Sequence, residues 1–183
     1  MPELYPEFRK AVRYAASKHI DQKENGTELP YLVHLSNVAA EVFFAHAAQP
    51  DFNLPFAAVV AYLHDVLEDT ESNADELSQE FGLEVSRAVV ALTKSKSIDN
   101  KEERLHDSLD RIQVLQKEVG IVKMADRITN LDAPNLPWPD DKRKRYMEGS
   151  NFILLQLGHS HGYLAERLKK KILDYVAYVV SGN

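Results

Sequence analysis

The stretch Tyr62-Leu63-His64-Asp65-Val66-Leu67-Glu68-Asp69-Thr70 puts one imidazole and three carboxylates within six residues, at the end of an apolar run that begins at Ala57. Burying that much charge is costly unless something compensates it, and a divalent cation is the simplest compensator. On a helix, His64 and Glu68 are four apart, as are Asp65 and Asp69, so all four groups share one broad face. Val59, Val60, Leu63 and Leu67 fall largely on another face, which reads as core. Two adjacent ligands are too few to hold an ion. His34 precedes the apolar Val38, Ala39 and Val42, and Asp126 follows the apolar run from Ile121. Either residue alone is commonplace, as an interior histidine or a surface acid. Together His34, His64, Asp65 and Asp126 make a set of two imidazoles and two carboxylates. That set suits Mn²⁺ and could also take Fe²⁺, Zn²⁺ or Co²⁺. It points to metal-assisted hydrolysis. His19, His46, His106, His159 and His161 lack an acidic neighbour in an apolar setting and read as structural or surface residues.

The elements that must position these groups are helical. Leu4, Phe8, Val12 and Ala15 or Ala16 form one stripe, and the polar segment Asp21–Leu29 reads as a loop. Pro30 opens a second helix to about Ala48. Pro55 opens a third, expected to run unbroken to about Glu68. Ser72 or Asn73 caps a fourth, which Gly82 ends, and Leu83–Leu92 forms a fifth. Asp99 caps a long helix expected to stop at Gly120, and Ile121–Leu131 forms the next. Asp132–Pro139, with three prolines, is irregular. Asp140 or Asp141 starts another helix, and Leu164–Val180 is the last. With no alternating strand pattern of useful length, the fold class is all-α.

The 183 residues suit one domain. The absence of cysteine excludes disulfides, thiolate ligands and a thiol nucleophile, and agrees with a reducing cytoplasm. No apolar run approaches the ~20 residues needed to cross a bilayer, and the N-terminus lacks a signal pattern. A net charge of -6 argues against broad nucleic-acid binding. Charge is unevenly spread: Asp65 to Ser86 holds eight acids and no Lys or Arg, while bases gather later, from Lys94 to Arg145. An acidic half facing a basic half is one way to build a metal-phosphate site, although such runs are more often solvated helix faces.

Three segments taken together resemble a family. They are Gln22…Pro30-Tyr31-Leu32-Val33-His34, then Leu63-His64-Asp65-Val66-Leu67-Glu68-Asp69-Thr70, then Val122-Lys123-Met124-Ala125-Asp126-Arg127…Asn130-Leu131. The pattern resembles the alarmone hydrolases of the HD-domain phosphohydrolase superfamily, the RelA/SpoT-type hydrolase domains and small Mesh-type enzymes, over about residues 5 to 160. The resemblance implies a single helical bundle of about eight to ten helices across 1–183, with motifs from about 19 to 146 and C-terminal helices from 147. It implies one Mn²⁺ ion and removal of the 3′-diphosphate from stringent-response nucleotides of the (p)ppGpp type, without synthetase activity. His34, His64, Asp65 and Asp126 would bind the metal, and Glu68 and Asp69 would be the catalytic carboxylates. Lys23, Glu24, Lys96, Lys101, Arg104, Asn130, Lys142 and Tyr146 fall where the family contacts substrate. Two departures stand out. His34 is followed by Leu35 where relatives have proline, and Glu24 stands where relatives carry a base-stacking arginine. A carboxylate cannot supply a cation–π contact, which brings adenine analogues such as (p)ppApp into consideration. Other readings of the same residues are a different HD nucleotide phosphohydrolase and a catalytically silent nucleotide-binding module.

Overall fold

The structure, a computed structural model, describes residues 4–131 and 138–181, with side chains for 6–131 and 138–176. It bears out the all-α expectation: among the described residues there are ten α-helices, one 3-10 turn at Gly158–Ser160, and no strand. An isolated extended pairing of Lys23 with Pro30 closes the loop after α1 (Leu4–Lys18).

Three helices make the centre. α3 (Leu54–Leu63) is apolar all round and buried from Ala57 to Leu63, as a helix surrounded by others must be. Asn53 caps it by accepting from the Phe56 amide at 3.2 Å, with Pro55 in its first turn. α8 (Lys117–Asn130) is buried from Glu118 to Ile128. α2 (Leu32–Ala48) packs against both through Leu35, Val38, Ala39, Val42 and Ala45. α1 lies on α3, while α9 (Asp140–Leu157) and α10 (Gly162–Ser181) cover α8. α5 (Ala74–Phe81) and α6 (Leu83–Leu92) pair at one side, and α7 (Lys101–Gln113) bridges α6 to α9.

Two expected helices are divided differently. The helix expected from Pro55 to Glu68 ends at Leu63, and Val66–Asp69 forms a separate turn, α4. In an unbroken helix the Ala61 carbonyl would receive the Asp65 amide; here it receives the His64 imidazole, Nδ1 to O 2.7 Å. The helix expected from Asp99 to Val119 is two helices, α7 and α8, separated at Gln116, whose backbone is extended. Asn100, not Asp99, caps α7, accepting from the Glu102 and Glu103 amides. Gly120 lies inside α8 and ends nothing. A Cβ there would stand 2.6 Å from Ser160 Oγ, so this glycine serves the close approach of the Gly158–Ser160 turn. The irregular Asp132–Pro139 segment lies outside the described residues except for Trp138 and Pro139.

Candidate metal centre

His34 comes from α2, His64 and Asp65 from the junction of α3 and α4, and Asp126 from α8. The fold brings all four together. His64 Nε2 lies 3.0 Å from Asp65 Oδ2 and 3.7 Å from Asp126 Oδ1. His34 Nε2 lies 3.7 Å from Asp65 Oδ2 and 3.6 Å from Asp126 Oδ1. The nearest donor atoms of His34, His64 and Asp126 all lie within 4.8 Å of one another. Ligands bound to one transition ion at about 2.1 Å stand about 3.0–3.5 Å apart, close to this spacing.

The two Nε2 atoms are buried and have no hydrogen-bond partner among the described residues. An unmatched buried polar atom needs an explanation. His64 supplies one: its Nδ1 is committed to the Ala61 carbonyl, so in the neutral ring Nε2 carries a lone pair aimed at the carboxylates. A histidine ligand fixed through its other nitrogen by a backbone carbonyl is a common way to hold a metal. Imidazole donors disfavour Ca²⁺ and Mg²⁺, which prefer oxygen. The residues therefore fit a divalent transition metal.

The electrostatics agree. Burial would raise the Asp65 carboxyl, yet the adjoining His64 holds it well below the usual carboxylate range. Burial likewise opposes ionisation of Asp126, but Lys123, with His34 and His64, holds it well below that range. Burial would lower the His64 imidazole; the charges of Asp65 and Asp126 outweigh it and raise it to about 10. Two ionised carboxylates, Asp126 buried and Asp65 largely so, thus demand positive charge, which a proton on His64 or a divalent cation can supply.

The carboxylates are themselves held. Tyr31 Oη donates to Asp65 Oδ2. Lys123 Nζ donates to Asp126 Oδ2 at 3.1 Å, and Asn130 Nδ2 to Asp126 Oδ1. Burial pushes the Tyr31 hydroxyl far above its usual value, and Asp65 adds to that, so Tyr31 remains a donor. Glu68 and Asp69 sit beside this centre on α4, whose turn begins with the Asp65 carbonyl accepting both of their amides, at 3.1 and 2.9 Å. Glu68 is gripped by Lys94, with Nζ to Oε1 2.8 Å and the backbone amide to Oε2 3.1 Å. Asp69 accepts from Gln22 Nε2 at 3.0 Å. Burial raises the Asp69 carboxyl above its usual range, and the charges of Asp65 and Glu68 add to this against the Gln22 bond.

The remaining residues singled out in the sequence are more dispersed. Lys96 lines a cavity of about 460 Å³ together with Leu67, Lys94, Asp107 and Arg111. Lys101 and Arg104 do not line it; the Arg104 guanidinium donates to the Ile98 carbonyl and pins the loop before α7. Asn130 is engaged with Asp126. Lys142 Nζ sits 3.9 Å from the centre of the Trp138 ring, and Tyr146 stacks under the Arg127 guanidinium at 4.2 Å. Lys23 reaches the Glu28 carbonyl, and the Glu24 amide donates to the Leu29 carbonyl. Sequence reasoning missed Tyr31, Lys94, Lys123 and Gln22 as site residues. Lys123 had a signal, its helical spacing of three from Asp126.

The HD-domain family model matches residues 11–162. The chain belongs to the HD-domain family. The guanosine-3′,5′-bis(diphosphate) 3′-pyrophosphohydrolase MESH1 of Drosophila melanogaster is 31% identical over 171 residues, covering 90% of this chain and 93% of that protein. MESH1 of Danio rerio is 29% identical, covering 90% and 92%. The guanosine-3′,5′-bis(diphosphate) 3′-pyrophosphohydrolase of Aquifex aeolicus is 30% identical over 179 residues; the match takes in 95% of this chain and 24% of that longer protein. Among solved structures, a metazoan ortholog of SpoT that hydrolyses ppGpp superposes with a TM-score of 0.79 at 24% identity, covering 92% of this chain and 95% of that one. That likeness shows the HD-domain fold.

Proposed function

We propose that this HD-domain chain is a metal-dependent hydrolase that removes the 3′-diphosphate, as pyrophosphate, from guanosine tetra- or pentaphosphate or their adenine analogues. The observation that carries this reading is the placing of Glu68 and Asp69 on a single turn that starts at Asp65, beside a cluster of two buried imidazoles and two carboxylates. The near full-length match to MESH1 enzymes supports it. The whole of 1–183 is read as one functional unit.

His34, His64, Asp65 and Asp126 would hold one divalent ion, with Mn²⁺ the proposed occupant. Such an ion, when bound, acidifies water and polarises phosphoryl oxygens. Asp69, whose carboxyl is raised above its usual range by desolvation and the neighbouring carboxylates, accepts the proton of the attacking water. Glu68, held at both oxygens by Lys94, orients that water for in-line attack on the phosphorus attached to the 3′ oxygen. The bond from that phosphorus to the 3′ oxygen breaks. Pyrophosphate leaves, and the proton taken by Asp69 returns to the 3′ oxygen. Lys96 and Lys142 are proposed to meet phosphates, as are Lys101 and Arg104 after movement of their loop. Tyr146 and the Lys23–Glu24 loop are proposed to meet the nucleoside, and Asn130 to position Asp126. With Glu24 in place of a guanidinium, the base is read without cation–π stacking.

The test is a panel of guanine and adenine nucleoside 3′-diphosphates, with Mn²⁺ and after chelation. Pyrophosphate release that disappears with chelation is the expected result. Release of orthophosphate or triphosphate would assign the chain to another HD chemistry, and binding without turnover would make it a sensor.

A further inference from the structure

His19 has no part in the roles given so far, and Gln22 only its bond to Asp69, yet the two join the site through a directed chain of hydrogen bonds. Both follow α1, where the chain turns: the His19 amide donates to the Ala15 carbonyl and the Gln22 amide to the His19 carbonyl, each at 3.0 Å. The turn sets His19 Nδ1 2.6 Å from Gln22 Oε1, and Gln22 Nε2 reaches Asp69 Oδ2 at 3.0 Å. The Tyr31 amide ties the Gln22 carbonyl to the start of α2 at 2.9 Å. His19 is 3% exposed. Its ring packs at 4.9 Å against that of Tyr31, which goes on to Asp65. Packing therefore prevents His19 from turning away.

The direction of these bonds follows from chemistry. An ionised Asp69 only accepts, so Gln22 must turn its N–H₂ toward it and its carbonyl oxygen toward His19. That oxygen needs a donor, so Nδ1 carries the His19 proton. Nε2 is then the lone-pair nitrogen, and it is the atom buried without a partner; an unmet acceptor is less rare than an unmet N–H. A glutamine amide has two nearly isosteric orientations. Flipped, Gln22 would point its carbonyl at the Asp69 carboxylate, and the His19 N–H excludes that state.

We propose that His19 is a positioning residue: through Gln22 it fixes the Asp69 carboxylate, committing Oδ2 and leaving Oδ1 to the attacking water. This rests on the assignment of Asp69 as a catalytic carboxylate. A residue that merely packs would serve equally well as leucine. A residue that acts by donating is rescued by asparagine, whose amide nitrogen can take the place of Nδ1.

Two measurements test it. Nitrogen-15 NMR of the histidine rings should find His19 in the Nδ1–H tautomer; the Nε2–H tautomer overturns the proposal, whatever the protein hydrolyses. With a guanine or adenine 3′-diphosphate and Mn²⁺, His19→Leu should lower kcat by about 10- to 100-fold with KM and bound metal unchanged. His19→Asn should return kcat to within about threefold of wild type, and His19→Leu/Gln22→Leu should be no worse than either single variant. Wild-type kcat in His19→Leu overturns the proposal, as does an asparagine variant no better than leucine. Should His19→Leu fail to fold, Gln22→Leu, at a half-buried position, carries the same kinetic arm. A wild-type protein that turns over no 3′-diphosphate would sink the proposed function, while the tautomer still decides the bond chain.

Discussion

Asp126 and Lys96 stand in opposite settings. Asp126 lies on a buried helix, and its oxygens are taken by Lys123 and Asn130 while facing two imidazoles. Lys96 is exposed, on a loop, at the rim of a cavity. The contrast extends to their neighbours: the four candidate ligands come from helices that pack on one another or from the tight junction of two of them, whereas Lys23, Glu24 and Lys96 sit on connecting segments. On the proposed function, the candidate metal centre is thus organised before substrate arrives, and recognition is left to parts that can adjust. Changes at the centre should therefore act on metal and rate, and changes at the rim on substrate choice.

The sharpest break is within the centre. Asp65→Ala should lose both bound metal and turnover, whereas Glu68→Ala should keep its metal and lose about 10²- to 10⁴-fold in kcat. Metal content by mass spectrometry beside a turnover assay checks this, and equal metal retention in the two would contradict the division of roles. Next, Tyr31→Phe removes the donor that steadies Asp65 and should weaken metal affinity by about 10- to 100-fold; an unchanged titration would make Tyr31 a packing residue.

The pH dependence of the metal-free protein comes third. His64 holds its proton to about 10 when folded, against 6.5 ordinarily. A group with a raised folded pKa gives its full stabilisation below its unfolded pKa and loses it as the pH passes the folded one. Urea midpoints of chelated protein should therefore fall between pH 6.5 and about 10. The fall should be shallower in His64→Gln. A slope shared by both proteins would rule out His64 as its source. On the loop after α1 the effect is smallest: Glu24→Arg should raise the guanine-to-adenine turnover ratio by about two- to tenfold, the range of an exposed to half-buried cation–π contact. No change in the ratio would remove Glu24 from base choice.

Much of this was legible beforehand because it followed from local chemistry. Asn73 caps α5 as a short polar side chain should, accepting the Glu76 amide at 2.9 Å. His34, His64, Asp65 and Asp126 each interrupt or end an apolar run, and a run that must be buried takes its polar interruptions inward with it. What escaped depended on contacts that residue type and spacing do not show. The break after Leu63 comes from the His64 ring taking a backbone carbonyl, which helical spacing does not reveal. Gly120 looked like a stop because only the approach of Ser160 explains it. His19 was set aside for want of an acidic neighbour in sequence; its partner chain runs through Gln22 to Asp69, 47 residues beyond Gln22.

The single turn at Val66–Asp69 has a bearing on which insertions and deletions the gene can survive. Because the Asp65 carbonyl receives the amides of both Glu68 and Asp69, Asp65 and the two following carboxylates form one rigid unit with a fixed residue count. A codon gained or lost between Asp65 and Asp69 rotates one part of that unit away from the other, and no compensating change elsewhere restores it. The loop of residues 93–100 is anchored at Lys94, at the Ile98 carbonyl and at the Asn100 cap, and its exposed stretch between these points accepts length changes more readily. Diversity in length among descendants of this sequence should therefore collect around the rim, leaving the spacing from His64 to Asp69 untouched.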